Sequence, residues 1–366
     1  MKEMARKSVL SVKPYIAGKP IEETKRQLGL KEVIKLASNE NPLGPSPKAV
    51  SAIKKSLSEI SRYPDSQGYY LKSALAKKYS LSPENFVLGN GSDELIDVLI
   101  RTFVEPEENI VTADNTFLEY EIIAQANERR IKKVPLRYFK YDLEAILKAV
   151  DKNTKLVFIA NPNNPTGTYV TRYEVADFLE ALDDSVLVVF DEAYDAFIDV
   201  DDYPDSLGCM KKDKRVISLK TFSKAYGLAG LRLGYAIADR SLISFMERMR
   251  QPFNVNMLAQ IGGLAALDDK DFIRRTRKAV ISGKNFIYKE LSRMGLGVTR
   301  SVANFILVDT GKDGYEVFKA MLKFGVIVRD MKQYGLKDFI RVTVGTQKEN
   351  ERFIRVLSKV LKEKNR

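Results

Sequence analysis

From residue 86 onward the chain alternates short apolar runs with longer amphipathic stretches. The runs fall at 86–89, 109–113, 131–135, 155–160, 186–190, 215–219 and 233–237, and the periodic stretches at 92–103, 117–128, 142–149, 171–182, 256–268 and 271–293. Short β-branched runs read as buried strands, and longer stretches with a 3.6-residue apolar period read as helices. Their alternation predicts an α/β fold with a mainly parallel sheet, covered by helices on both faces.

The two ends of the chain read differently. Before residue 86 there are prolines at Pro14 and Pro20, a short helical pattern over Ile21–Leu28, a helix over 47–57, and another after Arg62-Tyr63-Pro64-Asp65 with Leu71, Leu75 and Tyr79 on its apolar face. After about residue 270 a long helix leads to an apolar run at 304–308, a helix near 314–324, strands at 326–329 and 338–343, and a last amphipathic helix at 347–362. That order describes a smaller α+β unit. The expected division is an N-terminal arm over 1–35, a large domain over 36–268 and a small C-terminal domain over 269–366.

Composition narrows the chemistry. The 366 residues contain no histidine and one cysteine, Cys209. This excludes histidine-dependent nucleophile systems, histidine-ligated metals, thiolate clusters and any disulfide within the chain. No metal is expected, and proton transfer falls to Lys, Tyr, Asp or Glu. No apolar run has the length of a membrane span, and the N-terminal stretch is basic without a signal-length apolar core, so a cytoplasmic protein is expected. The net charge of +12 raises nucleic-acid binding as a reading. The basic residues are scattered, however, in pairs such as Lys54-Lys55 and Arg129-Arg130. An anionic substrate explains the excess as well.

Chemistry-bearing residues gather just past the apolar runs. Asn161-Pro162-Asn163-Asn164-Pro165-Thr166-Gly167 follows one, and Asp191-Glu192-Ala193-Tyr194 follows the next. The segment Thr221-Phe222-Ser223-Lys224-Ala225-Tyr226-Gly227-Leu228-Ala229-Gly230-Leu231-Arg232 follows a third. Ends of this kind are where open α/β sheets bind ligands. A lysine among apolar neighbours can lose its charge and act as a nucleophile, while hydroxyls and an arginine suit a phosphate. Gly89-Asn90-Gly91-Ser92-Asp93 joins a run to a helix, with Ser92 as an expected N-cap and the helix start as an anion site. Arg329 and Arg341 each lie in or beside an apolar strand, where a charge needs a partner. A substrate anion is one such partner, and a protein carboxylate such as Asp330 is another.

This ordered set resembles the fold type I pyridoxal-phosphate aminotransferases, and among them the histidinol-phosphate aminotransferase family, over nearly the whole chain. The resemblance implies that Lys224 bonds pyridoxal phosphate and moves the proton. It implies that Asp191 pairs with the pyridine nitrogen, and that Tyr194 and Asn164 bond the ring hydroxyl. Phe117 would stack on the ring, although an aromatic there could equally be a core residue. Ser92, Asp93, Ser223, Arg232 and Tyr63 from a partner subunit would hold the phosphate, making the active unit a homodimer with shared sites. Arg341 would clamp a substrate carboxylate, with Arg329, Tyr15 and Asn41 nearby. The expected reaction is transamination between histidinol phosphate and 2-oxoglutarate in histidine biosynthesis. Aromatic amino acid transamination and threonine-phosphate decarboxylation are the alternatives, and nucleic-acid binding is a remote one.

Overall fold

The apolar runs become strands because each is flanked by turn residues, and all but the run at 131–135 are mostly buried on both faces. A computed structural model describes residues 4–10 and 12–363, so the outermost positions of the expected arm and of the C-terminal unit lie outside the described residues. The strands, in chain order, are β1 Ile34–Lys35, β2 Phe86–Gly89, β3 Asn109–Ala113, β4 Arg130–Val134, β5 Thr154–Ala160 and β6 Leu187–Asp191. They continue with β7 Val216–Thr221, β8 Gly234–Ile237, β9 Phe305–Asp309, β10 Val326–Ile327, β11 Arg329–Asp330 and β12 Phe339–Thr343.

Seven strands form the large sheet in the order β2-β8-β7-β6-β5-β3-β4. Only β8 runs against its neighbours, because it returns beside β7 without a helical crossover. The exposed edge belongs to β4, whose Arg130, Lys132 and Lys133 discourage further strand pairing. The register aligns Ala160 with Asp191 and Asp191 with Leu219, so β5, β6 and β7 end at one level. The segments that follow these strands therefore meet at one edge of the sheet. Helices on both faces complete the layers. One of them, Arg172–Ala181, starts with a reciprocal cap between Thr171 and Glu174.

The C-terminal unit has an antiparallel sheet, β11-β12-β9, and a parallel pair, β1 with β10. The single strand expected at 326–329 is two: β10 pairs with β1 and β11 with β12, and the change of partner falls at Val328. Two large hydrophobic cores result, with three smaller clusters beside them among the described residues. One gathers residues between Ala49 and Ala266 around the large sheet. The other takes Leu36 together with residues from Ile287 to Val360. Leu36 thus sits in the second core, carried there by the pairing of β1. Among the described residues no helix is long and apolar enough to cross a membrane, and no acidic or cysteine cluster could hold a metal.

Candidate active site

A cavity of about 330 Å³ opens at the aligned ends of β5, β6 and β7. It is roofed by β11, β12 and the chain around Ala37–Glu40. Its size suits a small cofactor with a substrate. The expected residues Tyr15, Ser92, Asp93, Phe117, Asn164, Asp191, Tyr194, Ser223, Lys224, Arg232, Arg329 and Arg341 all line it.

Lys224 leaves the sheet just past β7. Its Nζ lies 3.4 Å from the Ser38 carbonyl and 5.7 Å from the centre of the Tyr194 ring. Burial, and then the positive charge of Arg341, bring its pKa down to about 8 from the ordinary 10.5. At neutral pH an appreciable fraction is a free amine.

Asp191 ends β6 and is only 5% exposed. It accepts hydrogen bonds from the Tyr120 hydroxyl at 2.8 Å and from the Ala193 amide at 3.2 Å. Burial raises its pKa to about 6 against that hydrogen bonding. Among the described residues it has no cationic partner, so a cationic ligand atom in the cavity would relieve it.

Arg341 is 4% exposed and Arg329 is 6% exposed. They face each other as cross-strand partners on β12 and β11. Arg341 donates to Asn164 Oδ1, and to the Ala37 carbonyl at 2.7 Å. Among the described residues its Nε has no partner. Arg329 donates to Gln333 at 3.1 Å and lies 5.5 Å from the Tyr15 ring centre. Neither forms an ion pair among the described residues. The carboxylate partner considered for them, Asp330, is therefore not what holds them.

Three expectations change. Ser92 is not the N-cap: Gly91 is, without a capping side chain, and Ser92 is the first residue of the helix Ser92–Phe103. The helix start is thus left open toward the cavity, with the N–H groups of its first turn lacking intrahelical acceptors. Arg232 lies beside it, bonded to Asp93 at 2.8 Å. A Cβ on Gly91, whose φ is +85°, would meet the Arg232 guanidinium at 2.5 Å, so only glycine fits. Asn41 is the second change. Its amide donates to the Ala225 carbonyl at 2.8 Å and to Thr276 at 3.2 Å, which holds it out of the cavity lining. Its neighbour Asn39 reaches the cavity instead. Third, Asn164 already spends its carbonyl oxygen on Arg341. Tyr63 stands apart, 81% exposed and stacked on Phe253 at 4.7 Å, outside the cavity of its own subunit.

The comparisons with known proteins agree with this geometry. The model of the family "Aminotransferase class I and II" matches residues 31–357. The chain belongs to this aminotransferase family. A protein of Moorella thermoacetica named histidinol-phosphate aminotransferase is 48% identical over 97% of this chain and 92% of its own length. Histidinol-phosphate aminotransferase 2 of Carboxydothermus hydrogenoformans is 45% identical over 98% of this chain and 99% of its own. The crystal structure of histidinol-phosphate aminotransferase from Sinorhizobium meliloti, in complex with pyridoxal-5'-phosphate, superposes with a TM-score of 0.90. It shares 28% identity and covers 98% of this chain and 97% of its own. The aminotransferase fold is thereby shown at both levels.

The residues of this aminotransferase's cavity fit pyridoxal phosphate. The open helix start, Thr221, Ser223 and Arg232 make an anion cradle at one end. The carboxylate of Asp191, without a cationic partner among the described residues, and the amine of Lys224 line the same cavity. Sequence reasoning missed two supports of this arrangement, Tyr120 under Asp191 and Lys220. The latter is buried at an ion-pair distance of 2.9 Å from Glu192 and also pairs with Asp195. Lys220 thus ties down both sides of the turn that carries Tyr194. The only signal for it was a lysine inside an apolar strand.

Proposed function

We propose that this aminotransferase uses pyridoxal phosphate to move an amino group between histidinol phosphate and 2-oxoglutarate, giving imidazole acetol phosphate and glutamate, in histidine biosynthesis. The observation that carries this reading is the facing pair Arg329 and Arg341. Two buried guanidinium groups side by side repel each other. A doubly charged phosphate, or the carboxylates of the second substrate, offsets that repulsion with charge-assisted hydrogen bonds. The names of the relatives support the same substrate.

When bound, pyridoxal phosphate supplies an electron sink for the pair left when a bond at the substrate's Cα is broken. Around it, the chain's own residues divide the work. Lys224 Nζ would bond the cofactor and, when free, would take the Cα proton. Asp191 would hold a proton at the pyridine nitrogen. Tyr194 and Asn164 would orient the ring hydroxyl, Phe117 would pack against the ring, and Ser92, Asp93, Ser223 and Arg232 would hold the phosphate. Arg341 and Arg329 fix the substrate's anionic group, and Tyr15 closes over Arg329. Fixing both ends of a substrate lowers the entropic part of the barrier.

The homodimer belongs to the same proposal. Leu57, Ile60, Tyr63, Tyr69, Tyr70 and Phe253 are all exposed large apolar side chains. Such a patch favours an interface, and one with a second copy would let Tyr63 serve the neighbouring cofactor phosphate.

A panel of histidinol phosphate, phenylalanine, tyrosine and threonine phosphate tests the substrate. The expected result is a kcat/KM for histidinol phosphate about a hundredfold or more above phenylalanine and tyrosine, with no decarboxylation. A preference for an aromatic amino acid, or carbon dioxide release from threonine phosphate, would overturn it.

A further inference from the structure

Asn39 sits in the cavity wall at 1% exposure, with φ at +56°. Non-glycine residues rarely adopt that conformation, and those that do cluster where surrounding structure enforces it for function. Its hydrogen bonds can be assigned a direction from one certain donor, its own backbone N–H. That group donates to Thr343 Oγ1 at 2.9 Å. The threonine hydroxyl has no other acceptor among the described residues, so its hydrogen goes to Asn39 Oδ1 at 3.1 Å. The side-chain amide is thereby fixed with its oxygen toward Thr343 and its Nδ2 toward Tyr194, to whose hydroxyl oxygen it donates at 2.9 Å. A third tie, from Asn304 Nδ2 to the Asn39 carbonyl at 3.0 Å, holds the backbone.

The Tyr194 hydroxyl therefore accepts from the protein, and among the described residues its own hydrogen has no acceptor. That hydrogen is left to the cavity. Burial drives the phenol's pKa up to about 12, against the opposing influence of Arg341 and Asn39, while Asp191 and Asp93 raise it further. The phenol stays protonated and available to donate.

We propose that Asn39, oriented by Thr343, is a positioning residue that sets the hydrogen-bond direction of Tyr194, so that the phenol donates to the cofactor rather than accepting from it. The arrangement also connects the two units. Thr343 lies two residues beyond Arg341 on β12, Ala37 accepts from Arg341, and Ser38 accepts from Lys224. Three consecutive residues thus touch the substrate arginine, the amine and the phenol. The inference rests on the aminotransferase reading but not on the identity of the amino donor. Its test uses cofactor binding without substrate, so it can fail independently of the substrate panel.

The test is a double-mutant cycle on cofactor dissociation and on the visible band of the bound cofactor. Asn39→Asp keeps the shape and tolerates the backbone, but presents an oxygen where Nδ2 stood, so the phenol must turn its hydrogen away from the cavity. Asn39→Asp and Tyr194→Phe are each expected to weaken binding about tenfold and to displace the band alike, and the double variant to be no worse than either. Asn39→Gly, which suits the positive φ, is expected to fall between wild type and Asn39→Asp. Thr343→Ser, keeping the hydroxyl, should hold binding within about twofold of wild type, whereas Thr343→Val reproduces the Asn39→Asp spectrum. Single effects that multiply in the double variant, or an Asn39→Asp protein with wild-type affinity and spectrum, would overturn the proposal. If Asn39→Asp does not fold, the contrast between Thr343→Ser and Thr343→Val decides, and equal behaviour of those two overturns it.

Discussion

At Lys224 two influences lower the pKa of the amine, loss of solvation first and Arg341 second, against Asp93, Tyr15 and Glu40. Attachment of the cofactor needs the uncharged form, so its rate should rise about tenfold per pH unit and level off near pH 8, as set by the lowered pKa. Arg341→Gln removes one of the two causes and moves the bend to higher pH; stopped-flow absorbance with cofactor-free protein reads it. Lys224→Ala should keep the cofactor noncovalently, show no added mass after borohydride, and lose transamination. Asp191 runs the other way. Its folded pKa of about 6 exceeds the ordinary 3.8, so between those values the folded protein holds a proton that the unfolded chain has released. Stability of the cofactor-free protein falls as pH rises through that window, and Asp191→Asn should remove that part of the fall in thermal melts. In the loaded enzyme the same variant should slow single-turnover proton abstraction by about 10²–10³-fold. The place of these residues at the sheet's edge was legible because one ends a strand and the other follows one, while their expected roles came from the family resemblance. Asn39 was not, because no pattern announces a left-handed asparagine, and the family resemblance drew attention to Asn41 instead.

Among the elements, the strand-to-helix turn after β2 shows how local sequence and site chemistry meet. Gly91→Ala would force a Cβ against Arg232 in a backbone conformation that only glycine adopts easily. The expected cost is about 1–3 kcal/mol of stability, with weaker cofactor retention as Arg232 is displaced; melting curves and cofactor titration measure both. The strands of the large sheet were readable to within a residue or two, since burial makes the runs of all but the edge strand β4 nearly continuous and apolar. The helices Ser206–Lys212 and Arg240–Met249 were not anticipated. The first is short and holds a glycine, whereas the second carries a helical apolar period at Leu242, Ile243, Met246 and Met249 that spans only ten residues. Likewise β10 and β11 could not be separated by eye, because an apolar run carries no mark of where its pairing partner changes.

For the whole molecule, the shared-site proposal places Tyr63 in the service of a second copy. Its hydroxyl can give one charge-assisted bond to a phosphate oxygen, and Tyr63→Phe should weaken cofactor retention by about 1.5–3 kcal/mol, roughly ten- to a hundredfold. Mixing Tyr63→Phe chains with Lys224→Ala chains should restore part of the activity, since a hybrid contains one site with both defects and one with neither. Hybrids that form but recover nothing would rule out the shared site. The separation of Asn39 from Thr343, 304 residues apart in the chain, has a consequence for birth rather than for turnover. Synthesis advances at about 5–20 residues per second, so on the order of 15–60 seconds pass between the emergence of one and the other. During that interval the large sheet can close, with Lys224 and Asp191 already at its edge, while the wall that orients Tyr194 waits for its strand. Completion of β12 is then the event that closes the wall around Tyr194, and a stop codon between β8 and Thr343 leaves the Lys224 amine in a half-built room.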